Sequence, residues 1–187
     1  MRKLGIRIIR KEGDEILKKK SKTVKEITPS ILELLDDMQA TLRSLDAVGI
    51  AAPQVGVLKR ICIVEAEDEL YELINPQIIS HSGTQTSNEA CLSVPGRSGN
   101  VERPLEITVT ALNRDGEEYT IEADDFLTTV LCHELDHLDG VLFIEKATNI
   151  QEITNEELNA RKQERRNRSR ERGNRSRAYS RERGRLR

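Results

Sequence analysis

The sequence has no tryptophan, two phenylalanines and three tyrosines, so aromatics are only 3% of its 187 residues. A core built on stacked rings is excluded, and isoleucine, leucine and valine must fill the interior instead. No apolar run approaches the roughly 18 residues of a membrane span, and the residues after Met1-Arg2-Lys3 alternate Leu, Ile and Arg rather than forming a signal-peptide h-region. The expectation is a cytoplasmic protein with no membrane partner. Cysteine is also scarce: Cys62, Cys91 and Cys132 are odd in number and widely spaced. That excludes a disulfide framework and suits a reducing compartment, with thiols free or bound to metal. The only histidines are His81, His133 and His137.

Charge is plentiful but unevenly spread. The formal net charge is -2, yet residues 161–187 hold 13 Lys and Arg against 3 Asp and Glu, while residues 1–160 hold 17 against 29. An acidic body therefore carries a basic tail. The length favours one domain, read as a catalytic domain over 1–150 followed by 151–187. In the second part, Thr154 and Glu156-Glu157 open a short helix that runs into an Arg/Ser-rich segment. That segment has too few apolar residues to pack, and it reads as disordered when alone.

Within the body, residues 8–24 read as an extended arm with a turn at Gly13-Asp14. Thr28-Pro29 starts a helix over about 29–45, where Ile31, Leu34, Leu35, Met38, Leu42 and Leu45 recur at helical spacing. Strand-like runs follow at 60–65, 71–75 and 106–112. Asn75-Pro76 and Arg114-Asp115-Gly116 serve as turns, and the second of them closes a hairpin with Tyr119-Thr120-Ile121. Asp124 is expected to cap a second helix, with Phe126, Leu127, Val130, Leu131, Leu135 and Leu138 on its apolar face and Gly140 as its stop. The fold class is α+β: antiparallel strands packed around a central metal-binding helix, plus the N-terminal helix and the basic C-terminal tail.

The second helix contains His133-Glu134-Leu135-Asp136-His137. Residues four apart share a helix face, so both imidazoles can reach one metal ion while Glu134 handles the proton of a bound water. The same spacing also fits a surface helix that carries two histidines. A catalytic site needs a third protein ligand, which this motif lacks. Cys91 lies in the polar stretch Ser87 to Pro95, where a thiolate can approach a metal, although a lone cysteine is more often a small buried hydrophobe. In a third segment, Ala47 to Gly56, small residues let backbone come close to a ligand and Gln54 offers an amide.

Taken together, Ala47 to Gln54 (AVGIAAPQ), Glu89 to Ser93 (EACLS) and His133 to His137 (HELDH) resemble the peptide deformylase family. Its motifs, in this order, are G-x-G-x-A-A-x-Q, E-G-C-L-S and H-E-x-D-H. The resemblance implies that Cys91, His133 and His137 bind the metal and that Glu134 is the general acid/base. It further implies that Gln54 and the backbone N–H of Leu92 hold the formyl oxygen. Gly49 and Ile50 would lie along the substrate, Glu89 would support the site, and Asp136 would stand behind the ligands. The implied substrates are N-formylmethionyl nascent peptides, with Val48, Val130 and Leu131 as contributors to a methionine pocket. The implied metal is Fe(II), replaceable by zinc, nickel or cobalt.

Three positions depart from the family pattern. Ala47 and Ala90 stand where it has glycine, and Cys132 stands where glutamine commonly precedes the first histidine. A left-handed backbone at Ala90 would cost about 1 kcal/mol relative to glycine. Ala47 would add a methyl along the substrate path, and Cys132 is expected to be a core thiol. The nearest rival is a zinc peptidase, but the acids downstream of the helix motif (Asp139, Glu145, Glu152, Glu156 and Glu157) lack a ligand context. A nucleic-acid-binding protein with a structural metal would need four closing ligands. The basic tail suggests docking to ribosomal RNA near the emerging chain.

Overall fold

In a computed structural model that describes residues 5–66, 69–154, 156, 157, 159, 160, 163 and 164, two antiparallel sheets and two α-helices build the body, and the described residues from 156 to 164 are helical, where the sequence places a short helix. Helix α1 spans Pro29–Ser44, with proline at its first turn and Thr28 at the N-cap without a side-chain capping bond. Its buried residues Ile31, Leu34, Leu35, Met38 and Leu42 are the face the spacing predicts. The helix stops in a Schellman turn: Asp46 takes a left-handed φ of 51°, and Ala47 N–H returns to Leu42 C=O at 3.2 Å.

The larger sheet has five strands: β1 (Gly49–Ala51), β2 (Ile61–Ala66), β3 (Glu69–Ser82), β6 (Glu106–Leu112) and β7 (Glu118–Asp124), in the order β1-β2-β3-β6-β7. The hairpin expected at Asp115-Gly116 joins β6 to β7, with Ala111 opposite Tyr119 and Gly116 at φ 81°. Ile61 and Ile63 point into the α1 cluster, while Cys62 and Val64 point to the other helix. Burial on both faces explains why this run is apolar throughout instead of alternating.

Asn75-Pro76 is not the strand end the sequence suggests, for β3 runs through it to Ser82. Proline has no N–H for the ladder, and the register shifts there between Ile74 and Gln77. Asn75 sits at φ 54°, and its side-chain amide pairs with both backbone groups of Val24 at 2.8 Å. The bulge thereby fastens the N-terminal arm.

Helix α2 (Asp125–Leu138) lies across the other face of the five-stranded sheet, burying Leu127, Val130, Leu131, Leu135 and Leu138 against Val64, Leu73, Val109 and Ile121. Each such fully buried side chain contributes about 2 kcal/mol. Asp124 occupies the N-cap position but makes no capping bond. Gln85 Nε2 donates to the Asp125 carbonyl at 2.8 Å and ties the start of the helix to β4 (Gln85–Cys91). The helix ends as expected at Gly140, whose φ is 77° and whose added Cβ would lie 2.7 Å from the Lys18 backbone. Glycine is required there both for conformation and for space.

The second sheet, β4-β5-β8, comprises β4 (Gln85–Cys91), β5 (Val94–Arg103) and β8 (Thr148–Glu152). It lies in polar sequence with no strand signature, and β8 straddles residue 150. Beyond it, Thr154 and Glu157 form a reciprocal capping box: Glu157 Oε2 accepts from Thr154 N–H at 2.7 Å, and Thr154 Oγ1 accepts from Glu157 N–H at 3.2 Å. The basic segment 165–187 lies outside the described residues.

Candidate metal centre

The site forms where α2 faces the end of β4. Cys91 closes β4 and pairs with Val94 across the Leu92-Ser93 turn, which carries its sulfur toward the helix. His133 and His137, one turn apart, present their rings on that side. Cys91 Sγ lies 3.2 Å from His137 Nε2, and one donor atom from each of Cys91, His133 and His137 lies within 4.8 Å of the others. The third histidine, His81, is exposed on β3 and takes no part.

The remaining ring nitrogens and acids set the electrostatics. His133 Nδ1 bonds Glu89 Oε2 at 2.8 Å, which assigns the proton to Nδ1 and turns Nε2 toward the sulfur. Arg103, 4% exposed, grips both Glu89 oxygens at 2.7 and 2.9 Å and reaches Asp136 at 2.6 Å; Asp136 in turn binds Lys146. Burial alone would raise the Glu89 carboxyl, but His133 and Arg103 outweigh it and bring it down to about 2. The Cys91 thiol follows the same logic. Burial opposes ionisation, yet His137 and His133 hold it well below the ordinary thiol range, so the thiolate form is favoured.

Glu134 behaves in the opposite way. Burial pushes its carboxyl up to about 7, against the pull of His133 and His137, and its buried Oε2 has no hydrogen-bond partner. It stands against β1, where an added Cβ on Gly49 would come within 2.3 Å of Glu134 Oε1. Gln54, 1% exposed in the 3-10 turn after β1 (Ala52–Val55), is aimed by Ala51 N–H, which donates to its Oε1 at 2.8 Å. Its Nε2 faces Ser93 Oγ at 3.2 Å and Cys91 Sγ at 3.5 Å. Ile50 is fully buried beside Gly49 in β1, an edge strand, and Leu92 is half-buried in the turn.

The donor set fits a single divalent metal ion. Ligand atoms held at about 2.0–2.3 Å around one tetrahedral ion are roughly 3.5 Å apart, close to the Cys91–His137 separation of 3.2 Å. Two imidazoles and a thiolate suit zinc or ferrous iron. Three protein ligands leave a position open, and the partnerless Glu134 oxygen stands at the same site.

The family departures fall in tolerant places. Ala90 lies in β4 without a positive φ, so the backbone strain expected there does not arise. Ala47 packs its methyl on the α1 cluster. Cys132 is a core thiol, raised to about 11 mainly by burial, and all three cysteines are free. Val48, Val130 and Leu131 come together in the core cluster beneath α2. Sequence reasoning missed Arg103 and Ser93. Arg103 lies 14 residues from Glu89, and no local pattern marks it. Ser93 was in view only as part of its motif.

The described residues include no helix long and apolar enough to cross a membrane. The polypeptide deformylase family profile matches residues 6–152. The peptide deformylase of Acetivibrio thermocellus is 48% identical over 163 residues, covering 87% of this chain and 95% of that protein. Among solved structures, a peptide deformylase from Legionella pneumophila superposes with a TM-score of 0.75 at 36% identity, over 78% of this chain and 88% of that one. A class I type b peptide deformylase from Acinetobacter baumannii with Met-Ala-Ser bound gives 0.73 at 33% identity, over 77% and 99%. With its Cys/His/His cluster and these relatives along most of its length, the chain belongs to the peptide deformylase family of metal-dependent hydrolases.

Proposed function

We propose that the chain releases formate from N-formylmethionyl nascent peptides at the site built by Cys91, His133, His137, Glu134, Gln54 and Leu92. The observation that carries this reading is the buried Glu134 carboxylate, raised to about 7 and with one oxygen unpartnered, beside a thiolate and two imidazoles. Cys91, His133 and His137 would hold the metal, with Fe(II) as the native ion and zinc, nickel or cobalt as substitutes. When bound, such an ion supplies a water acidic enough to attack a carbonyl near neutral pH.

The chain's own groups do the rest. Glu134 takes a proton from the attacking water as oxygen bonds to the formyl carbon, then delivers it to the nitrogen as the C–N bond breaks. Formate and a free amino terminus leave. Gln54 Nε2 and the Leu92 N–H donate to the formyl oxygen, where charge develops only in the transition state. Gln54 is pre-aimed for this by Ala51. The edge position of β1 supports a substrate backbone running along Gly49 and Ile50, with Val48, Val130 and Leu131 toward the methionine side chain. Met-Ala-Ser bound to the Acinetobacter relative is in keeping with a short methionyl peptide as ligand.

The zinc peptidase reading is not favoured, because the third donor is Cys91, while Asp139 pairs with Arg60 and Glu145 with Lys18. A cytoplasmic location follows from the proposed substrate, and the basic tail is proposed to hold the enzyme near ribosomal RNA. The test is formate release from formyl-Met-Ala-Ser by anaerobically purified protein, beside a peptide-bond cleavage assay. Cleavage of internal peptide bonds without formate would overturn the reading.

A further inference from the structure

The N-terminal arm crosses the seam between the two sheets at the site itself. Arg10 N–H donates to the Gln54 carbonyl at 2.7 Å, and Glu12 N–H donates to the Ser93 carbonyl at 2.8 Å. Between them, Lys11 Nζ donates to the Leu92 carbonyl at 2.6 Å, and the Glu12 carboxylate pairs with Arg97 of β5. Two of the turn's carbonyls are thus drawn toward the arm. In a planar trans peptide the C=O and the N–H point in opposite directions, so fixing Leu92 C=O on the arm aims Ser93 N–H the other way. That N–H lies 3.4 Å from Cys91 Sγ.

We infer that Lys11 is a positioning residue for the deformylase site. By clamping Leu92 C=O it holds Ser93 N–H on the Cys91 sulfur, and it sets the turn so that Leu92 N–H and Gln54 converge on one oxygen. The inference rests on the donor roles of Gln54 and Leu92 proposed above. Lys11 is exposed and belongs to none of the three core clusters, so its replacement leaves the packing intact.

Lys11→Met keeps the aliphatic stem and removes the donor. In the cobalt-loaded full chain it should leave one metal per chain and move the thiolate-to-cobalt charge-transfer band to lower energy, because the sulfur loses a hydrogen bond. With formyl-Met-Ala-Ser, kcat should fall roughly tenfold with KM within about twofold, the signature of lost orientation. Lys11→Arg should restore both the band and kcat. An unmoved band overturns the inference, as does a moved band with unchanged kcat or a loss that arginine does not rescue. Gln54→Ala assayed alongside separates the two ideas. Full kcat in that variant would remove the donor reading itself, whereas a large loss there with wild-type behaviour in Lys11→Met removes only the role of the arm.

Discussion

Gly49 and Glu134 meet across the volume that a side chain would take: a Cβ on Gly49 would lie 2.3 Å from Glu134 Oε1 and 2.8 Å from its carboxyl carbon. The helix that carries the acid and the strand proposed to carry the substrate are in register only because this position is bare. Gly49→Ala should therefore rotate the Glu134 carboxylate away. The expected result is a kcat about a hundredfold lower, with metal content unchanged and a stability loss of about 1–3 kcal/mol, since the added methyl overlaps a buried side chain from its Cγ outward. Formate release and metal analysis on the same preparation decide it; wild-type turnover would show that the carboxylate has another productive position.

Glu134 and Cys91 should separate chemistry from binding. Glu134→Gln is expected to keep a full equivalent of metal and lose turnover by about 100-fold or more, since an amide cannot carry the proton. Cys91→Ala should lose most of the metal and nearly all activity, because two imidazoles alone orient an ion poorly. Metal retention by Cys91→Ala at wild-type turnover would refute the ligand assignment.

Arg103 neutralises Glu89 and Asp136 from a buried position. Arg103→Met would leave the buried Glu89 with only its bond to His133 and Asp136 with only Lys146, and unfolding free energy should drop by about 3–5 kcal/mol. Chelator competition should also show weaker metal binding, as Glu89 no longer holds His133 in a fixed orientation. Denaturant unfolding of the zinc-loaded protein measures the first effect. A loss under about 1 kcal/mol, well below the range for a broken buried pair, would mean that the network relaxes around the change.

The basic tail should matter for location and not for chemistry. A chain ended at Asn159 should hydrolyse formyl-Met-Ala-Ser at the full-length rate and co-sediment with ribosomes much more weakly at low salt, with the difference fading as salt rises. Equal co-sedimentation of the two chains would remove the docking proposal and leave the catalytic one standing.

Local pattern alone determined α1, α2, the Asp115-Gly116 hairpin and the spacing of His133, Glu134 and His137 on one helix, because helical and strand periodicities register directly which face of an element is apolar. The family motifs added Cys91, Gln54 and Leu92. Only the tertiary structure decided how these segments meet. In the sheet of β4, β5 and β8 the buried positions include Glu89, Ser98 and Arg103 and β8 is exposed throughout, so no apolar alternation betrays it, and Cys91 reaches His137 across 46 residues through that sheet. Asn75-Pro76 reads locally as a turn, but β6 pairs past it and absorbs it as a bulge. The grip of Arg103 on Glu89 and of Lys11 on Leu92 is likewise invisible in sequence, because a charged side chain declares its donor and never its partner. Which acceptor it finds depends on where the backbone of another strand has been brought.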